Sequence, residues 1–317
     1  MRVGLAIVLA AQALMVSAAA SGSYRAPRTA EGHPDLQGTW DQRNLTPLVR
    51  PAGFPAELSA EQARALEKMV HDFLDNGGPS DPTIDIEQRE LLPVRGTLRS
   101  SIVVDPPDGQ LPGTPRFYAE LKQKQWQLMN GLDGPEQRPT SERCLGSAAS
   151  QAPILHNPGI NLHQIVQTAN TVLFFSEAMH DARVIRLNAK HAPAAVTSWA
   201  GDSIGWWEGE TLVVETKHFT ASDTGRTAPF VAYFVSPRTT VIERITRVSE
   251  NELDYEFTVE DPTYYTRPWS GQTHLQRSHE RTFEYSCHEG NRSLPYILQA
   301  RRLSEAEPKD GLPPAGH

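Results

Sequence analysis

Hydrophobic and polar positions alternate with a period of two through much of the second half of this chain. Leu253, Tyr255, Phe257 and Val259 oppose Asp254, Glu256 and Thr258, as in a strand with one buried face. Arg183-Val184-Ile185-Arg186-Leu187 alternates in the same way. Residues 165–168 and 172–175 flank Ala169-Asn170-Thr171, residues 207–216 fold about Gly209-Glu210, and residues 241–248 and 253–259 flank Ser249-Glu250-Asn251-Glu252. Each arrangement predicts a hairpin. Residues 279–286 predict one more strand.

Helical spacing is confined to three places. Ser59-Ala60-Glu61-Gln62 forms a capping box, followed by Ala63, Leu66, Val70, Phe73 and Leu74 on one face, with Gly77-Gly78-Pro79 as a stop signal. Residues 115–129 predict a second helix and 293–303 a closing one, with Asn291 or Ser293 as its cap. Hairpins without crossover helices disfavour a parallel α/β fold. The expected fold is mainly β: a curled antiparallel sheet or lipocalin-like barrel with an N-terminal helical segment and a C-terminal helix. Gly38-Thr39-Trp40, at the predicted first strand, is a pattern also found in lipocalin-like barrels, where the tryptophan plugs one end.

The first twenty residues change the picture. Met1-Arg2, an apolar run from Val3 to Val16 and Ser17-Ala18-Ala19-Ala20 together predict a signal peptide cleaved near Ala18 to Ala20. The apolar run is shorter than the roughly 20 residues a membrane anchor needs. The expected division is 1–20 signal peptide, 21–149 an extended and helical segment packing on the core, 150–303 the β-rich core with its closing helix, and 304–317 a flexible tail. A periplasmic or secreted location follows, with no membrane span after cleavage. The net charge of −8, without any basic run, argues against nucleic acid as a partner. The two cysteines, Cys144 and Cys287, are expected to join in an oxidising compartment, two buried free thiols being the alternative. Twenty-five prolines in 317 residues exceed the usual ~5% and point to long ordered connections. The oligomeric state is not legible.

Seven segments carry a resemblance: HPDLQGTW at 33–40, ERCL at 142–145, QIVQT at 164–168, MHDARVI at 179–185, GDSIGWWEGETLVVET at 201–216, YEFTVEDPTYYTRPW at 255–269 and YSCHEGN at 285–291. With them the chain resembles a large family of exported bacterial proteins of unestablished function. The resemblance implies export and names no substrate. It departs at Asn161-Leu162-His163, where the family carries an Asn-rich stretch, and at Arg292, where an aromatic residue is common.

Candidate chemistry centres on histidine, since eight of the eleven histidines fall between His156 and His288. His180-Asp181 and His288-Glu289 each place an imidazole beside a carboxylate, the pairing that moves a proton near neutral pH. Adjacent strand residues face opposite ways, so the useful partnership is expected across strands. In this reading His180 and His288 transfer protons and Asp181 and Glu289 orient them. Arg183 and Arg267 clamp an anionic group, and His163, Trp207, Tyr265 and Trp269 line the substrate pocket. The expected activity is that of a small-molecule lyase, isomerase or hydrolase, the alternative being a binding protein that holds an apolar or aromatic ligand in a β-barrel. No cofactor is expected. A zinc or iron site drawn from His180, His288, Glu289 and His163 is the weaker option, because H-E-x-x-H and C-x-x-C spacings are missing. Neither a G-x-S-x-G elbow nor a phosphate-binding glycine loop occurs.

Overall fold

The computed structural model describes residues 24–76, 90–156, 159–221, 225–228 and 231–306. The predicted signal peptide, the Gly77-Gly78-Pro79 stop and nearly all of the tail lie outside them. Among the described residues twelve strands run in chain order: β1 (Gly38–Asp41), β2 (Val103–Asp105), β3 (Leu162–Gln167), β4 (Thr171–Ser176), β5 (Asp181–Leu187), β6 (Asp202–Glu208), β7 (Thr211–Lys217), β8 (Gly225–Ala228), β9 (Val231–Phe234), β10 (Thr240–Arg247), β11 (Glu252–Glu260) and β12 (Trp269–Ser278). The helices are α1 (Ala60–Asn76), α2 (Pro115–Asn130) and α3 (Ser293–Ala306).

Nine of the strands close into a barrel in the order β1-β3-β4-β5-β6-β7-β10-β11-β12, with β12 returning to β1. An odd number of strands cannot close with antiparallel pairs alone. The parallel pair is β5 with β6, so the chain between them, residues 188–201, must cross from one end of the barrel to the other. β1 supplies the closure, pairing through Trp40 with His163 on one side and Arg277 on the other. The barrel therefore draws one strand from the segment preceding residue 150. β2 adds outside the closed ring, against β12.

The period-two pattern sorts side chains as expected. Val172, Phe174, Ile185, Leu212, Val214, Ile245, Tyr255 and Phe257 are buried inside. Gly271 stands opposite Phe257 in register, and a Cβ there would come within 2.3 Å of the Phe257 ring. The ring thus occupies the space that glycine leaves. Trp40 plugs one end: its Nε1–H donates to the Leu36 carbonyl at 2.8 Å, with the Arg277 and Arg247 guanidinium groups 5.2 and 5.7 Å from the ring, a cation–π arrangement.

At the other end α2 brings Phe117 against Phe234 and Tyr265. Residues 148–156, buried throughout, form a cap. Ile154 N–H donates to Tyr255 Oη at 2.8 Å, and its carbonyl accepts from Gln42 Nε2 at 2.9 Å. Outside the barrel, α1 buries Ala63, Leu66 and Val70 against Leu45 and Leu91. Its capping box forms in both directions, Gln62 N to Ser59 Oγ and Ser59 N to Gln62 Oε1.

The expected strand at 279–286 is absent: the last barrel strand is β12, and 279–286 runs on unpaired into the turn before α3. The reason lies in burial. β12 presents Trp269, Gly271, Thr273 and Leu275 inward and the polar Ser270, Gln272, His274 and Gln276 outward, and glycine and threonine at two inward positions blunt the apolar–polar contrast. By comparison 279–286 alternates but is mostly exposed, Phe283 at 70%. What holds this segment is the Cys144–Cys287 disulfide, which closes a sequence separation of 143 residues. Replacing both cysteines by serine is expected to lower stability by up to about 5 kcal/mol on the chain-entropy account. Urea unfolding of the double variant beside the wild type checks this; equal midpoints would contradict it.

Candidate functional site

The half of the barrel beneath the cap carries an inward-facing polar set. Register places His163, Ser176 and Asp181 in one row across β3, β4 and β5, and residues directly opposite share a face. His163 is fully buried, its Nδ1 3.0 Å from Ser176 Oγ and its ring 5.2 Å from that of Phe174. Burial, reinforced by the nearby Arg183 charge, pushes its pKa down to about 3, so the imidazole is neutral. Arg183 is buried and meets fully buried Glu243 on β10 in a bidentate pair, 2.6 and 2.9 Å. Burial opposes the arginine's charge, and Glu243 more than restores it. Tyr255 donates to Glu243 at 2.7 Å, which continues the chain of contacts to Ile154 in the cap. Burial first, and Glu243 second, holds the Tyr255 hydroxyl well above the usual tyrosine range.

Two atoms of this set are shut from solvent without a partner among the described residues: His163 Nε2 and Arg183 Nε. Arg183 Nε–H can only donate. Each such group costs about 1–3 kcal/mol when left unmet. Arg183 and Glu243 neutralise one another in the interior, while Asp181 stands at the rim against Ser150.

The other residues expected from sequence are spread out. His180 is exposed, edge-on to Phe175 at 4.9 Å. Asp181 sits at the barrel rim and accepts from Ser150 Oγ in the cap at 2.5 Å. Burial raises its pKa, tempered by Ser150 and by the His180 charge. His288 and Glu289 are exposed in the turn after Cys287, and among the described residues no hydrogen bond joins either to His180 or Asp181. Arg267 is exposed and lies 3.3 Å from Asp105. Tyr265 packs, its hydroxyl accepting from Phe234 N and donating to Phe234 O, both at 3.0 Å. Trp269 is fully buried against Phe257 and Tyr265. Trp207 stacks flat on His33, centroids 5.2 Å apart.

Glu243, Tyr255 and Ser176 escaped the sequence reading, yet one signal was there. In Val241-Ile242-Glu243-Arg244-Ile245, alternation puts a carboxylate on the same face as Val241 and Ile245. In 181–187 it puts Arg183 on the face of Ile185. Two opposite charges on core faces predict one buried pair.

Away from the barrel interior, His156 and His274 are buried with neither ring nitrogen partnered among the described residues. Burial pushes them down to about 3 and about 4, and for His156 the nearby His274 adds to the effect.

Comparison with known proteins finds no matching family model, no similar curated protein and no similar solved structure. The site must therefore be read from its own chemistry. No helix among the described residues is long and apolar enough to cross a membrane.

Proposed function

We propose that this chain is an exported binding protein whose barrel holds a small, neutral, carbonyl-bearing organic molecule, with Arg183 and His163 as hydrogen-bonding partners. The observation that carries the reading is the pair of buried, unpartnered nitrogens, Arg183 Nε and His163 Nε2. An obligate donor calls for an acceptor oxygen on the ligand. Because Arg183 and Glu243 already cancel, a buried carboxylate ligand would carry uncompensated charge, and an aldehyde, ketone, ester or lactone suits the site better. Phe174, beside both groups, offers an aromatic face to such a ligand. Entry requires the cap at 148–156 to release Ile154 from Tyr255 and Gln42. Export is supported by the pattern of the first twenty residues and by the Cys144–Cys287 bond.

A catalytic reading rests on a different observation, the His163–Ser176 pair facing Arg183 across Phe174. There a neutral imidazole within reach of a carbonyl would move a proton, and His180, Asp181, His288 and Glu289 would act only through motions of the cap and the C-terminal segment.

The test is calorimetry of the purified protein against neutral aldehydes, ketones, esters and lactones, each paired with the hydrocarbon of the same shape. Carbonyl members are expected to bind at least about tenfold more tightly than their hydrocarbons, and His163→Phe to remove most of that preference. Hydrocarbons that bind equally well, or a His163→Phe variant that binds like the wild type, would overturn the proposal. Turnover of a panel member, lost in His163→Phe, would move the assignment to catalysis.

A further inference from the structure

A second cluster lies on the outer wall, where the crossover 188–201 meets β6 and β7. His191 in the crossover points Nδ1 at Asp202 Oδ2, 2.7 Å away, and Nε2 at Glu215 Oε1, 2.9 Å away. His218, just after β7, sets its ring 5.4 Å from that of His191, and its Nδ1 is buried with no partner among the described residues. One ligand atom from each of His191, Asp202 and His218 lies within 4.8 Å of the others. All three side chains are half-buried, so the group is fixed by the fold and still reachable from solvent.

We propose that His191, Asp202 and His218, with Glu215 beside them, bind a divalent first-row transition ion, zinc foremost, and that the ion fastens the crossover to β6 and β7. The donor set is two imidazoles and one carboxylate, with Glu215 at the far nitrogen of the His191 ring as an orienting partner, a combination that zinc, iron and cobalt favour. In the geometry described, a single imidazole bridges two carboxylates, which is the electrostatic place of a cation. Two ligands at the usual 2.0–2.1 Å on a tetrahedral ion stand about 3.3 Å apart. His191 and Asp202, 2.7 Å apart, therefore need to part by about 0.6 Å, while His218 closes in. Supporting contacts are in place: Arg186 holds Asp202 Oδ1 at 2.6 Å, Ala192 N–H donates to Oδ2 at 3.0 Å, and Lys217 holds Glu215 at 2.9 Å. Such outer contacts orient metal ligands. A metal here also suits the topology: this crossover joins the parallel pair, and Ser198 already pairs with Phe219 just after β7, so an ion would add a second tie to the same wall.

The experiment uses the full folded chain stripped with chelator, then titrated with zinc and, separately, with cobalt. The expected result is about one ion per chain, with visible cobalt bands showing histidine and carboxylate ligation. His218→Ala and Asp202→Asn are each expected to weaken binding at least about a hundredfold, and His288→Ala, an exposed histidine elsewhere, to leave it unchanged. Asp202→Asn keeps the hydrogen-bonding shape, so the result stands even where the alanine variant folds poorly. Absence of stoichiometric binding, or binding that survives both substitutions, would overturn the proposal and leave His191 as a hydrogen-bonded strap.

Discussion

Acidification from pH 6.5 toward pH 4 is expected to remove several kcal/mol of stability, because three histidines are folded in the neutral form. His156 and His163 have pKa values lowered to about 3 and His274 to about 4, all by burial, against an ordinary value near 6.5. Below pH 6.5 the unfolded chain takes up these protons and the folded chain does not until pH 3 to 4. In that window the unfolded state binds more protons, so stability rises with pH and falls on acidification, by about 1.4 kcal/mol per histidine per pH unit. Asp254 works the other way. Burial, only partly offset by Arg95 and Gln272, raises it to about 6, so the folded state gains a proton there before the unfolded one does. The net is roughly two protons, or about 3 kcal/mol per pH unit between pH 6 and 4. Urea unfolding at several pH values measures this slope, and replacing His274 or His163 by phenylalanine should each flatten it by about one proton. A flat profile would mean that these rings ionise within the folded barrel.

Glu243→Ala is expected to cost about 3–5 kcal/mol, since it strands a buried guanidinium, and Arg183→Ala a similar amount by stranding Glu243. The pair itself is a different matter. Replacing both together, Arg183→Met with Glu243→Leu, is expected to recover most of the loss, because removing two buried charges also removes the cost of taking them from water. A double-mutant cycle from chemical unfolding gives the coupling. If the double variant is as stable as the wild type, yet no longer prefers carbonyl ligands, the pair is retained for recognition. Should it be as unstable as the single variants, the pair is a packing element and the recognition argument loses its main support.

The barrel was legible wherever one face of a strand is dry and the other reaches water, as in Tyr255 to Val259. It was illegible in β12, where Gly271 and Thr273 take inward positions and weaken the alternation. The short Gly38-Thr39-Trp40 motif marked a tryptophan that is fully buried in β1. The site was harder to see. His180-Asp181 and His288-Glu289 drew attention through adjacency in sequence, but adjacency in a strand sends side chains apart, and the second pair sits on an exposed turn. Glu243 had no polar neighbour to mark it; only its place on an apolar face did. His191, Asp202 and His218 come from a crossover, a strand start and a strand end. Nothing local links them, and they meet because an odd-stranded barrel forces one connection to cross the wall.

The claim that the interior takes a ligand is tested most directly by nitrogen NMR of histidine-labelled protein during titration with the tightest carbonyl compound of the panel. The ring nitrogens of His163 are expected to shift in proportion to occupancy while those of His274 and His191 stay in place. Binding that leaves His163 unmoved, or no compound that moves it at all, would contradict the account.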